Sequence, residues 1–418
     1  MRGMARYLLA IVAVAAIAAA GGLIVACGSS SSSGDSGGGS SPSASTIKLG
    51  VVSDFSFPLD VDYIKELNVL VDNTNATGGL DVGGTKYKVE VVSYDSKGSP
   101  ETGRSAVQRL ITQDKVNFIL GDGTADGWLS VTEAAKMLVI VASPSPNVVT
   151  PRYQFVFQSG PFTTQPAMAW GWISDNIPEV KTVAGAFPDN IAGHAEEGHL
   201  RGLCAAFGQK VLGTMFYPVG TTDFSAIATK LVGMNADSYT TASGGPVSDS
   251  LYYKALYDAG FKGKFVSYTT ITPEQIAKVI PIADVEGMTS AIAGIDLPTP
   301  TPTGQELKDL WVAAYGEWTN PGMTSIQNWY LLVAALQKAG SLDSQKVADT
   351  IAAGMEFPAP LGEGKTVPRP DMGNPRCVDS MYYTYMSQIT DGKANVVGEV
   401  DFTQGQAYID KATAKPPQ

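Results

Sequence analysis

Two short stretches carry residues suited to holding a small polar molecule. Gly121-Asp-Gly-Thr-Ala-Asp-Gly127 sets carboxylates and a hydroxyl on a glycine-rich loop before a helical pattern. Thr124 or Asp126 could cap that helix. Ser143, Ser145 and Asn147 follow a second apolar run. Hydroxyls and helix-end amides together suit a carboxylate group. The same residues also serve ordinary caps and turns. Pro146 removes one backbone donor from the second stretch.

Catalytic chemistry finds little support. His194 and His199 are five positions apart, so they do not share a helix face as paired zinc ligands do. Glu196-Glu197 between them reads as a solvated helix start. No Gly-x-Ser-x-Gly elbow, Walker phosphate loop or Cys-x-x-Cys pair occurs. The Gly121–Gly127 loop lacks dinucleotide spacing and follows the third strand rather than the first. The expectation is a binding protein without catalysis, metal or cofactor.

The elements around these stretches alternate. Strands read at Ile47–Val52, Tyr87–Tyr94, Val116–Leu120 and Leu138–Ala142, with helical patterns between them. Trp128–Met137 is the last of those helices. The pattern restarts with strands at Thr182–Phe187, Val211–Tyr217, Ser238–Ala242 and Phe265–Tyr268. After Gly287 three helices follow, Gln305–Trp318, Ser325–Ala339 and Ser344–Ala353. A hairpin then turns on Asp391-Gly392. This is an α/β chain of two lobes with parallel sheets, whose ligands bind beyond the carboxyl ends of the strands.

The chain has 418 residues, 44% of them hydrophobic, enough for real cores. It carries 40 acidic against 29 basic residues, with no basic cluster, so nucleic acid is not an expected partner. Arg2, Arg6 and the apolar run Tyr7–Ala20 read as a signal peptide over residues 1–26. Ile24-Val25-Ala26-Cys27 resembles a bacterial lipobox, which implies a lipidated Cys27. Residues 27–46 form a Ser/Gly tether, with a mean reach of about 25 Å. An acidic body repels anionic lipid, so attachment to the membrane rests on the lipid.

From residue 47 on, the chain resembles the leucine/isoleucine/valine-binding proteins, the type I periplasmic solute-binding proteins of ABC importers. The matching stretches run in order. They are Ile47-Lys-Leu-Gly-Val-Val52 with Phe57-Pro58, Asn75-Ala-Thr-Gly-Gly79, Val89-Glu-Val-Val-Ser-Tyr-Asp95 and Ser99-Pro-Glu-Thr102. Phe118-Ile-Leu-Gly121, Ser143-Pro-Ser145, Asp223-Phe-Ser-Ala226 and Glu286-Gly-Met288 continue the series. The resemblance implies two Rossmann-like lobes around a central cleft, joined by a three-strand hinge. Lobe 1 would be 47–164 plus 292–378, lobe 2 would be 165–291 plus 379–410, and 411–418 a tail.

It also implies a site and partners. Thr124, Ala125, Ser145 and Asn147 match the positions that hold an amino acid's carboxylate. The positions that hold its ammonium fall near Ile191 or Ala192, Ser243 or Gly244, and Thr270 or Ile271. None of these is acidic or aromatic, and a buried ammonium without acceptors is costly. A carboxylic acid lacking the amine, or an amide, fits better, unless Asp122, Asp126 or Asp189 supplies the charge. Phe55, Phe57, Trp128 and Phe162 are candidate apolar walls, and equally candidate core residues; Trp128 is the better cleft candidate. Asp189 or Asn190 could cap a helix and face the cleft. The implied partners are a small organic ligand, the subunits of an ABC permease and the membrane lipid, for a monomer outside the cytoplasm. A rival reading is a sensor acting on a membrane receptor kinase. Cys204 and Cys377 are a candidate disulfide, or else two buried thiols.

Replacing Cys27 by Ala should abolish lipid attachment, read as loss of metabolically incorporated palmitate. Undiminished label in that variant would remove Cys27 as the anchor.

Overall fold

The computed structural model describes residues 45–414, apart from 122, 124, 144, 146, 262, 268–271, 320–324 and 370–375. The expectations placed on the leader, Cys27, most of the tether, Thr124 and Thr270 lie outside the described residues. The first lobe opens with β1 (Ser45–Ser53), α1 (Pro58–Ala76), β2 (Leu80–Val82), β3 (Thr85–Asp95) and α2 (Pro100–Arg109). It continues with β4 (Phe118–Gly121), α3 (Leu129–Ala134), β5 (Val139–Val141) and β6 (Val156–Gln158). These strands form one sheet in the order β2-β3-β1-β4-β5-β6, parallel except for β2. Ser45 and Thr46, read as tether, pair with Tyr87 and Lys88 instead.

The second lobe has α4 (Thr164–Asn176), β7 (Thr182–Pro188), α5 (Ile191–Phe207), β8 (Lys210–Tyr217) and α6 (Ser225–Val232). Then come β9 (Ser238–Thr240), α7 (Pro246–Asp258), β10 (Lys264–Ser267), α8 (Pro273–Ala277) and β11 (Thr289–Ile292). The chain returns to the first lobe with α9 (Pro302–Tyr315), α10 (Gln327–Ala339) and α11 (Ser344–Ala352). A small antiparallel sheet follows, of β12 (Glu356–Phe357), β13 (Gly364–Pro368) and β14 (Val378–Tyr382). β15 (Thr384–Thr390), β16 (Lys393–Val400) and α12 (Phe402–Thr413) complete the second lobe. Its sheet runs β16-β15-β11-β10-β9-β7-β8.

Each sheet is buried on both faces, as parallel sheets covered by helices must be. Leu49, Val51, Leu120 and Ile140 pack toward Leu331, Leu332 and Ile351 on one face of the first sheet. Val52, Ile119, Val139 and Val141 pack with Val107, Trp128 and Leu129 on the other. The second sheet divides likewise, toward Trp170, Leu200 and Tyr408 on one side and Leu231, Tyr252 and Leu256 on the other. In the hairpin turn Asp391 and Gly392 both take positive φ, 53° and 69°, the twist a two-residue hairpin needs.

Several elements differ from the sequence pattern. β2, β6 and β12 have two or three residues each, too few to show a period. α12, a helix the sequence pattern did not show, runs three residues into the expected tail; Asp401 caps it by accepting from Gln404 N–H at 2.8 Å. The predicted helix over 128–137 shortens to α3, because Trp128 is its non-helical N-cap and Lys136, with a positive φ of 52°, ends it. Cys204 and Cys377 are both buried, but no disulfide joins them. Cys204 packs within the α4–α5 core, whereas Cys377 precedes β14.

Where the chain passes between lobes, the contacts turn polar. Thr163 Oγ1 donates to the fully buried Asp379 carboxylate, which also accepts from Arg369 Nη1 at 3.3 Å and Ser380 N–H at 2.8 Å. Thr164 Oγ1 donates to Ser380 O at 2.5 Å. Ser380 Oγ donates to Gln158 O and Tyr382 OH to Ser159 O, both at 2.6 Å. Asp379→Ala should therefore lose about 1–3 kcal/mol in chemical denaturation, since it removes the acceptor shared by the half-buried Arg369 and Thr163 and the buried Ser380 amide. A loss below about 1 kcal/mol would show that this cluster does not hold the crossover.

Candidate functional site

Strand order reverses at two places, which fixes where a ligand would sit. In the first sheet β1 lies between β3 and β4. In the second, β7 lies between β8 and β9. The loops leaving β1, β4, β7 and β9, with that of the neighbouring β5, hold the candidate residues.

The loop after β1 presents aromatic rings to solvent. Asp54 Oδ1 accepts from Ser56 N–H at 2.9 Å and Ser56 Oγ at 2.6 Å, and Asp60 Oδ2 accepts from Asp54 N–H at 3.0 Å. Asp95 Oδ1 accepts from Phe55 N–H at 3.1 Å and Lys97 N–H at 2.8 Å. So fastened, Phe55 stays 38% and Phe57 48% exposed. Buried aromatics are the rule, so two open rings at a strand end are notable. Phe162 is half-buried.

The loops after β4 and β5 come together through Asp126. Its Oδ2 accepts from Ser145 Oγ at 2.5 Å and from Asn147 Nδ2 at 3.0 Å. Ser145 N–H donates to Ser143 Oγ and Asn147 N–H to Ser145 Oγ, each at 3.2 Å. Ser145 is buried, while Asn147 and Asp126 are exposed. Ala125 has a buried side chain, leaving only its backbone to serve a ligand.

Trp128 does not face a cleft. It is fully buried against α2 and β4, so close that a methyl on Gly121 would lie 2.6 Å from its ring. A large aromatic at that place contributes burial rather than a ligand wall.

In the second lobe Asn190 caps α5, its side chain accepting from Gly193 N–H at 2.8 Å. Beside it Asp189 Oδ1 meets His194 Nε2 at 2.8 Å, and His194 stacks on Phe216. Glu196, expected in solvent, is buried, because α5 begins at Ile191 and its second turn faces inward. Ser243 is half-buried and takes a positive φ of 63°.

Beneath the Ser243 loop lies a polar cluster that the sequence pattern did not single out. A Cβ on Gly244 would fall 2.3 Å from Asp249 Oδ1 and 2.4 Å from Tyr217 OH, so only glycine fits. Both groups are buried, and Asp249 Oδ1 and Tyr217 OH have no hydrogen-bond partner among the described residues. Burial pushes the Asp249 carboxyl up to about 8, against the pull of the Thr241 hydroxyl and Gly244 backbone. Burial, then the Asp249 carboxyl, pushes the Tyr217 phenol up to about 12. A signal for them existed. Tyr217 ends a strand, and Asp249 shares its spacing with Tyr252, Tyr253 and Leu256, the buried face of α7.

The folded chain thus holds the Asp249 proton through neutral pH, while an unfolded chain has lost it. Folding binds protons in that window, so this group's contribution to stability falls as pH rises from about 4 to about 8. Glu66 and Asp379, also raised by burial, act in the same direction. Asp249→Asn should flatten the slope by up to about 1.4 kcal/mol per pH unit. The check is the melting temperature of both proteins from pH 5 to 8. A wild-type-to-variant gap constant with pH would remove Asp249 as the source.

A family model of periplasmic binding proteins matches residues 46–393. Among solved structures, a solute-binding protein of an ABC transporter from Rhodopseudomonas palustris, in complex with 3,4-dihydroxybenzoic acid, is 19% identical. The match covers 85% of this chain and 97% of that one, with a TM-score of 0.66. The branched-chain amino acid binding protein LivJ of Streptococcus pneumoniae, in complex with isoleucine, is 18% identical over 85% and 98% of the chains, with a TM-score of 0.65. An ABC transporter substrate-binding protein from Sphaerobacter thermophilus gives 19% identity, 85% and 98% coverage and a TM-score of 0.70. These structures share the two-lobe fold. The chain belongs to the periplasmic binding protein family, in its type I, two-lobe form.

Proposed function

We propose that this protein is an extracytoplasmic substrate-binding lipoprotein of an ABC importer, which closes its lobes on a small organic solute and delivers it to a membrane permease. The observation that carries this reading is the placement of polar and aromatic groups at the strand reversals of both sheets: Phe55, Phe57, Asp126, Ser145 and Asn147 on one lobe, Asn190 and Ser243 on the other. Each lobe supplies part of the contact set, so a ligand favours the closed form by the contacts it adds there. The solute is amino-acid-like, a carboxylate or an amide.

The lobes divide at 164/165, 291/292 and 378/379, with the Asp379 cluster at a crossover; the first lobe takes in Ser45 and Thr46, and the second runs on through α12 to Thr413. Attachment to the membrane is by the lipid on Cys27; among the described residues no helix is long and apolar enough to cross a membrane. The protein acts as a monomer, and it binds rather than transforms its ligand.

The test is a thermal-shift screen with amino acids, amides and carboxylates. A ligand at 100 times its dissociation constant adds about 2.7 kcal/mol. Phe57→Ala should weaken a hit severalfold with little loss of stability, because an exposed ring contributes little to the core. A hit chemically altered during incubation would replace the binding role with an enzymatic one.

A further inference from the structure

We propose that Asp126 sets the class of ligand: its carboxylate takes the place that a ligand carboxylate would fill at the β4 and β5 loops, so the ligand presents an amine or amide N–H to this pole. This rests on the solute-binding reading above and narrows it.

Part of the donor set of these loops is already engaged. Ser145 Oγ and Asn147 Nδ2 both donate to Asp126 Oδ2, and Ser145 N–H and Asn147 N–H donate to side-chain oxygens of Ser143 and Ser145. An arriving carboxylate would meet the Asp126 carboxylate beside it, with two side-chain donors already given to that group. Two carboxylates sharing a site oppose each other's ionisation. What the pole offers is an acceptor. Asp126 Oδ1 accepts no hydrogen bond from the described residues, and the side chain is exposed.

The charges nearest the exposed rings are acidic: Asp54 lies in the same loop and Asp95 accepts from Phe55 N–H, while Lys97 and Arg152 are the described bases of the loops after β3 and β5. Phe55 and Phe57 leave β1, the strand paired with β4 through Val52 and Gly121. Exposed rings next to an acceptor suit an amine or amide with an apolar body.

The test compares matched triplets: benzylamine, benzamide and benzoate, then isobutylamine, isobutyramide and isobutyrate. Affinity is measured by thermal shift and calorimetry on the full chain in detergent, for wild type and Asp126→Asn. In wild type the amine or amide should bind at least tenfold tighter than the carboxylate. In Asp126→Asn the carboxylate should gain at least tenfold on its partners, because the charge is removed while an oxygen remains for Ser145. A wild-type preference for the carboxylate, or a ranking unchanged by the substitution, overturns this inference and leaves solute binding intact. Silence of every triplet in both proteins would count against the solute-binding reading itself, and this inference would fall with it.

Discussion

A buried carboxylate, Asp379, governs how the two lobes are joined. Burial alone would drive it toward its neutral form, and Arg369 beside it opposes that. A charge so far from water persists only with partners on every side. Those partners come from separate parts of the chain: Thr163 before α4, Arg369 after β13, and the Ser380 amide on β14. Meeting the needs of one carboxylate therefore fixes two of the strands that pass between lobes.

The same polar seam reaches the candidate site. Gln158 Oε1 accepts from Ser143 N–H at 3.2 Å, and its amide donates to Ser143 O at 2.5 Å. Asn328 on α10 donates to Gly121 O at 2.9 Å, and Ser159 Oγ donates to Asn328 Oδ1. Gly121 and Ser143 open the two loops that meet at Asp126. A shift of the crossover would pull on both, so the loops that would receive ligand are mechanically tied to the segment that would bend. Buried hydrogen bonds of this kind transmit displacement because leaving any one unmade is expensive.

The two poles of the site differ in character. On the first lobe Asp126 is exposed and hydrogen-bonded, a charge in water's reach. On the second lobe Asp249 is enclosed under Gly244 and holds its proton at neutral pH. One presents an acceptor; the other supports the Ser243 loop from beneath. The same residue type thus stands at the surface in one lobe and under a glycine in the other.

The sequence by itself determined the alternation of strands and helices, the restart at a second lobe and the Asp391-Gly392 turn. Those signals are local: apolar period, helix stops and the positive φ that a two-residue hairpin requires. It also placed Ser145, Asn147 and Asn190 in strand-end loops, because any residue just past a buried strand must be there. Only the tertiary structure decided which of these meet. Asp126 lies about 20 positions before Ser145 and Asn147, and their contact depends on β4 pairing with β5. Trp128 read as a wall and became core, since its burial is set by how closely α2 approaches β4 at Gly121. Cys204 and Cys377 invited a disulfide, and their separate packing gave none. Tyr217 and Asp249 went unmarked because a buried polar pair leaves a pattern only once the strand end and the helix face are seen together.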